Sequence, residues 1–149
     1  MLDTPVSVLV RRPPFRIDRH APLSEALHTL RTQLARCLVV MDGDRVMGLL
    51  TDRDLVEKCF HEGLPGDTPV QVIMDSPVIS VTPDTPVLEA LRVVDRERIR
   101  NLPLIEADGT LRAVLRGRDL MEFLAESMPE LILNQPPEPV EQPTQREGA

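Results

Sequence analysis

The chain has 149 residues, 42% of them apolar and 28% charged, enough to bury a core as one domain or two small ones and far from fibrous or wholly disordered composition. Three Phe, no Tyr, no Trp and a net charge of −7 exclude both a base-stacking surface and a general phosphate-backbone surface, so no nucleic-acid partner is expected. Lys58 is the single lysine, which leaves arginine, the planar bidentate ligand of carboxylate and phosphate, as nearly every cation.

The start, Met1-Leu2-Asp3-Thr4-Pro5, has no basic stretch leading into an apolar one, and no window approaches about 18 consecutive apolar residues, so a cytoplasmic protein with no membrane partner is expected. A short strand is expected at residues 15–17. Pro22 then opens a helix of about 13 residues, with Leu23, Ala26, Leu27, Leu30 and Leu34 on one stripe. The β-prone runs 38–41 and 46–50 flank Asp42-Gly43-Asp44, a hairpin signal, and a helix follows from Asp52 to about Phe60. Cys37 and Cys59, 22 apart in apolar surroundings, read as free buried thiols in a reducing compartment.

After Gly63 the pattern starts again. Asp67-Thr68-Pro69-Val70 repeats Asp3-Thr4-Pro5-Val6 at an offset of 64, Pro86 repeats Pro22, and Glu89-Ala90-Leu91 repeats Glu25-Ala26-Leu27. One residue is inserted after the hairpin turn, so that Arg118-Asp119-Leu120 repeats Arg53-Asp54-Leu55 at an offset of 65. The second copy therefore reads as a strand at 78–81, a helix carrying Val87, Ala90, Leu91 and Val94, a hairpin across Ala107-Asp108-Gly109, and a helix from Gly117 to about Glu126. The expected fold is α/β (α+β): two β-α-β-β-α repeats, 3–62 and 67–128, joined by a linker at 63–66 and packed sheet to sheet about a pseudo-twofold. Neither copy of about 60 residues buries much alone. Residues 129–149, with Pro136-Pro137-Glu138-Pro139, Pro143 and four Glu against one Arg, read as a disordered acidic tail.

Gly48-Leu49-Leu50-Thr51-Asp52-Arg53-Asp54-Leu55 runs a strand into Thr-x-x-Asp at the head of a helix. With Ile99-Arg100-Asn101-Leu102-Pro103-Leu104 and the repeat itself, it resembles the CBS-domain family, specifically a stand-alone tandem pair, or Bateman module, over residues 3 to about 126. The resemblance implies a regulatory module and not an enzyme. It implies an adenosine-containing ligand (AMP, ADP, ATP, NAD or S-adenosylmethionine) in one or both clefts, no required cofactor, a flat homodimer and an unidentified effector protein.

Carried over by position, the ribose would meet Asp54 and Thr51 in the first copy and Asp119 in the second. The base would meet Ile17 and Asp18, or Ser80 and Val81. The facing walls are 35–38, with Arg36 and Cys37, and 100–103, with Arg100, Asn101, Leu102 and Pro103. The chemistry is sound without the family: one carboxylate accepts from two vicinal hydroxyls, and Arg53, Arg100, Arg116 and Arg118 can neutralise phosphate in an otherwise acidic chain. Thr51 and Asp54 are equally the two ends of a helix capping box, a purely structural device; Arg116 stands where the second copy would need the Thr. The competing reading is therefore a dimerising scaffold with degenerate, empty clefts.

No nucleophile and base pair, Gly-rich phosphate loop or metal-ligand spacing is present; His20, His28 and His61 are far apart. Met41, Met47, Met74, Met121 and Met128 read as core or dimer-face filler, and Leu120, Met121, Phe123 and Leu124 as the dimer face.

Overall fold

Gly43 opens the first hairpin turn at φ 62°, a left-handed conformation that costs a residue without Cβ nothing. It joins β2 (Cys37–Asp42) to β3 (Arg45–Thr51), which pair antiparallel with Leu38 opposite Leu50. Gly109, at φ 94°, serves the second hairpin, β4 (Asn101–Ile105) and β5 (Leu111–Arg116). The computed structural model describes residues 2–127; Met128 and the tail expected at 129–149 lie outside the described residues.

Helices α1 (Leu23–Thr32) and α3 (Val87–Glu97) begin directly after Pro22 and Pro86 and bury Leu23, Ala26 and Leu30, and Val87, Ala90 and Val93, as the periodicity requires. α1 is shorter than expected. Leu34 adopts φ 54° in the turn toward β2 and stands 84% exposed, so the last residue of the expected stripe leaves the core. The closing helix α2 starts as Asp52–Asp54 and continues as a π-helical segment, Leu55–Phe60; its counterpart α4 spans Gly117–Ser127.

The first strand of each repeat behaves differently. β1 (Arg16–Asp18) pairs parallel with β2, Ile17 opposite Val40, and completes a three-stranded sheet in the order β1-β2-β3. The strand expected at 78–81 is instead a single bridge from Val81 to Leu104 beside the two-stranded β4-β5 sheet. Two prolines are the reason. In the first sheet the Val39 amide donates to the Phe15 carbonyl at 2.8 Å and the Arg19 amide to the Met41 carbonyl at 2.9 Å; Pro103 and Pro83 occupy the positions of Val39 and Arg19 with no N–H to donate. Only the two bonds on either side of Val81 remain, Val81 N to Pro103 O at 3.1 Å and Ile105 N to Val81 O at 2.9 Å.

The repeats exchange their leading segments. Val6 and Leu9 belong to the core of the second repeat, with Val87, Leu102, Leu104, Leu115 and Leu120, whereas Val70 and Ile73 complete the first core around Leu38, Val40, Leu50 and Leu55. Matching backbone bonds fix the exchange: Val6 N to Thr85 O at 2.9 Å and Val87 N to Thr4 O at 2.8 Å on one side, Val70 N to Ala21 O and Leu23 N to Thr68 O, both 2.8 Å, on the other. The sheet-to-sheet seam is small, with Val39, Met41 and Leu111 buried in it and the Arg16 guanidinium donating to the Leu111 carbonyl at 3.2 Å. Packing sheet to sheet thus leaves not the one shared core expected but two, each finished by the leading segment of the other repeat.

Leu120, expected on the dimer face, is wholly buried in the second core; Met121 is exposed and Phe123 and Leu124 are half-buried. The larger apolar surface lies on the first repeat, where Leu27, Val56 and Phe60 rim a groove of about 880 Å³ between α1 and α2. Cys37 and Cys59 are free and half-buried. Among the described residues no helix is long and apolar enough to cross a membrane.

Candidate functional site

The pseudo-twofold brings the first turns of α2 and α4 to one cavity of about 420 Å³ lined by both repeats. Thr51, Asp52 and Arg53 come from the first closing segment, Arg116, Gly117 and Arg118 from the second, and Arg36, Arg100 and Asn101 from the entrances to β2 and β4. Five arginines face one carboxylate, that of Asp52, in a chain of net charge −7. Arg53 is paired with Glu57 at 2.8 Å and Arg118 with Glu122 at 3.2 Å, while Arg36, Arg100 and Arg116 have no ion pair among the described residues. A concave wall with unpaired guanidinium groups concentrates positive potential locally, whatever the overall charge.

At the head of α2 the capping box is complete. The Asp54 amide donates to the Thr51 hydroxyl at 3.1 Å and the Thr51 amide to Asp54 Oδ2 at 2.9 Å. Asp54 is buried, and its other oxygen lies 3.8 Å from Lys58 Nζ, which itself donates to the Ile73 carbonyl at 2.9 Å and to Asp75 Oδ1 at 3.1 Å. Burial opposes the Lys58 charge, but the Asp75 hydrogen bond and the charges of Asp54 and Asp75 outweigh it and hold its pKa above the usual lysine range. At the head of α4 half of the box survives: the Arg116 amide donates to Asp119 Oδ2 at 2.9 Å.

Asp119 lines a second cavity, about 240 Å³, with Arg11, Arg12, Arg116 and Arg118. A narrow cleft of about 60 Å³ shares Arg12, Val114 and Arg116 with it and runs on to Phe15, Arg36, Cys37 and Asn101. Of the residues singled out from sequence, Thr51, Arg36, Arg53, Arg100, Asn101, Arg116 and Arg118 meet in the central cavity, and Cys37 and Asp119 in the adjoining clefts. Ile17, Leu102 and Pro103 are buried in sheets, and the backbone groups of Val81 are both taken by β4. Ser80 is exposed, and Asp18, also exposed, accepts from the His20 amide at 2.9 Å.

Arg11, Arg12 and Asp52 were not singled out from sequence. The signal for the arginines was the Arg11-Arg12-Pro13-Pro14 run, whose positions in the second copy are Asp75-Ser76-Pro77-Val78. Burial, then the charges of Asp54, Asp52 and Asp75, push the Cys37 thiol up to about 12, so at neutral pH it is a protonated, weak nucleophile. Among the described residues no group of His, Cys, Asp and Glu is arranged to hold a metal.

The CBS domain pattern matches this chain twice, at residues 6–61 and 70–126, and the chain belongs to the CBS-domain family as a tandem pair. A 17.7 kDa protein of Acidianus ambivalens is 31% identical over 124 residues, covering 83% of this chain and 74% of that protein. Other relatives are longer: the chain spans 44% of a Methanopyrus kandleri protein to which it is 33% identical over 86 residues. Among solved structures, the CBS domain protein PAE2072 from Pyrobaculum aerophilum, complexed with AMP, is 25% identical with a TM-score of 0.72, over 82% of this chain and 98% of that one. The CBS domain pair of protein MJ0100, in complex with methylthioadenosine and S-adenosyl-L-methionine, shares the fold at 19% identity and TM-score 0.73, over 81% and 99%.

Proposed function

We propose that this tandem pair is a non-catalytic regulatory module that binds an adenosine-containing nucleotide between its repeats and passes occupancy on through a homodimer or a separate effector protein. One observation carries the reading: five arginines from both repeats converge on one cavity of about 420 Å³ in an acidic chain. Guanidinium groups there meet phosphate oxygens in bidentate geometry, and a ligand touching both repeats favours one arrangement of the pair over another, the condition for any signal. The groove rimmed by Leu27, Val56 and Phe60 is the proposed dimer face, since a surface of that size and polarity is stable when covered. AMP and S-adenosylmethionine in related pairs support the ligand class.

A thermal-shift panel of AMP, ADP, ATP, NAD, S-adenosylmethionine and GTP tests the reading. A ligand at 100 times its Kd adds about 2.7 kcal/mol and raises the midpoint by roughly 5 to 11 °C at this size. The shift is expected for adenosine ligands and is expected to shrink with added salt; a flat panel would remove the nucleotide reading and favour the scaffold.

A further inference from the structure

The two clefts are related by sequence offsets of 64 before the hairpin and 65 after it, and three pairs of equivalent residues make them different. In the first repeat Leu49 and Asp75 exchange backbone hydrogen bonds, N to O at 3.0 Å and 2.8 Å, so the 73–75 segment lies directly on β3. Gly48 makes room for it: a Cβ there would stand 2.7 Å from the Asp75 carbonyl oxygen. Lys58 then ties the segment down through the Ile73 carbonyl and Asp75 Oδ1, with Asp54 Oδ1 at 3.8 Å. Asp54 Oδ2 already accepts from the Thr51 amide, so both of its oxygens are engaged.

In the second repeat Ala113 stands in the place of Gly48, Phe123 in the place of Lys58 and Arg11 in the place of Asp75. Ala113 carries the Cβ that the close approach forbids, Phe123 has no charge to donate, and Arg11 repels rather than accepts a cation. Among the described residues Val114 and Arg11 make no bridge like that of Leu49 and Asp75. The result is the open cavity of about 240 Å³ at Asp119, whose Oδ1 has no partner among the described residues, with Arg11, Arg12, Arg116 and Arg118 around it.

We propose that the chain takes one nucleotide, in the Asp119 cleft, and that Lys58 latches the equivalent Asp54 cleft shut. The ligand half of this rests on the nucleotide reading above; the latch stands on geometry alone. In the open cleft the Asp119 carboxylate accepts from a ribose diol, and Arg116 and Arg118, which line both this cavity and the central one, meet the phosphate where the two cavities adjoin. In the latched cleft a ligand would first have to displace an ammonium group and two backbone hydrogen bonds.

Titration calorimetry of the full chain with AMP and with ATP tests the assignment. One site per chain is expected, weakened at least tenfold by Asp119→Asn and less than about twofold by Asp54→Asn. Two sites per chain, or loss with Asp54→Asn alone, would overturn the assignment while leaving nucleotide binding intact. Absence of binding by either probe would remove the nucleotide reading and the ligand half with it, and the latch is then judged by hydrogen exchange. The Leu49 and Asp75 amides are expected to exchange far more slowly than those of Val114 and Arg11, and Lys58→Met to speed Asp75 at least tenfold; equal exchange in the two clefts would overturn the latch.

Discussion

Gly48 and Asp75 approach so closely that no side chain fits between them: a Cβ on Gly48 would lie 2.7 Å from the Asp75 carbonyl oxygen and equally close to Met74 Sδ. Met74 has a flexible side chain, but the Asp75 oxygen is backbone held by Leu49. Gly48→Ala is therefore expected to lower stability by about 1–3 kcal/mol, as overpacking does, with an unchanged urea m-value. A loss below about 0.5 kcal/mol would mean that the 74–75 segment moves off β3 freely.

Thr51 and Arg116 occupy the same place at the heads of α2 and α4, and only Thr51 offers its helix a hydroxyl. Thr51→Ala should cost about 1 kcal/mol in chemical denaturation. Arg116→Thr completes the second capping box, so it should raise stability by about 0.5–1 kcal/mol while weakening nucleotide binding through the loss of one cavity guanidinium. Stability and affinity moving in the same direction would contradict the two roles assigned to position 116.

Leu120 and Phe60, both on closing helices, separate core from proposed interface. Leu120 is fully buried, so Leu120→Ala should cost about 2–5 kcal/mol at any protein concentration. Phe60 is 79% exposed, and Phe60→Glu should halve the mass measured by light scattering while the monomer remains folded by circular dichroism. An unchanged mass would rule out the groove at Phe60 as the proposed dimer face.

Cys37 introduces an alkaline limit. Its folded-state pKa is raised from the usual 9.0 to about 12, first by burial and then by Asp54, Asp52 and Asp75. The folded state thus keeps a proton that the unfolded state releases. This contribution is fully present below about pH 9 and is lost as pH rises toward 12, with a limiting slope of about one proton per molecule. Stability curves for wild type and Cys37→Ala should converge in slope below pH 9 and diverge between pH 9 and 11, the wild type falling faster. Parallel curves over that interval would show that the thiol is ionised in the folded protein.

Much of this architecture was legible before any coordinates. The repeat at offsets 64 and 65, the hairpin glycines, the apolar stripes of α1 and α3, and the capping pair Thr51 and Asp54 all follow from local rules: periodicity, turn sterics and helix-end hydrogen bonding act within a few residues and leave their mark in spacing. The gathering of Arg36, Arg53, Arg100, Arg116 and Arg118 in one cavity did not follow: by sequence these arginines divide between two clefts, one per copy, and only the packed pair brings them together. What local spacing did not carry was which segments meet. Val6 and Leu9 are apolar in either core, and only the packed pair shows that they cross to the other repeat. Pro103 looked like part of a ligand wall, and only the parallel pairing of β1 with β2 shows that it removes an amide needed to extend the matching strand. Lys58 and Asp75 are 17 residues apart on different elements, and their contact exists because Gly48 lets two backbones touch. Periodicity records whether a residue is buried; which partner buries it is decided by the excluded volume and unpaired polar groups of chain segments far away in sequence.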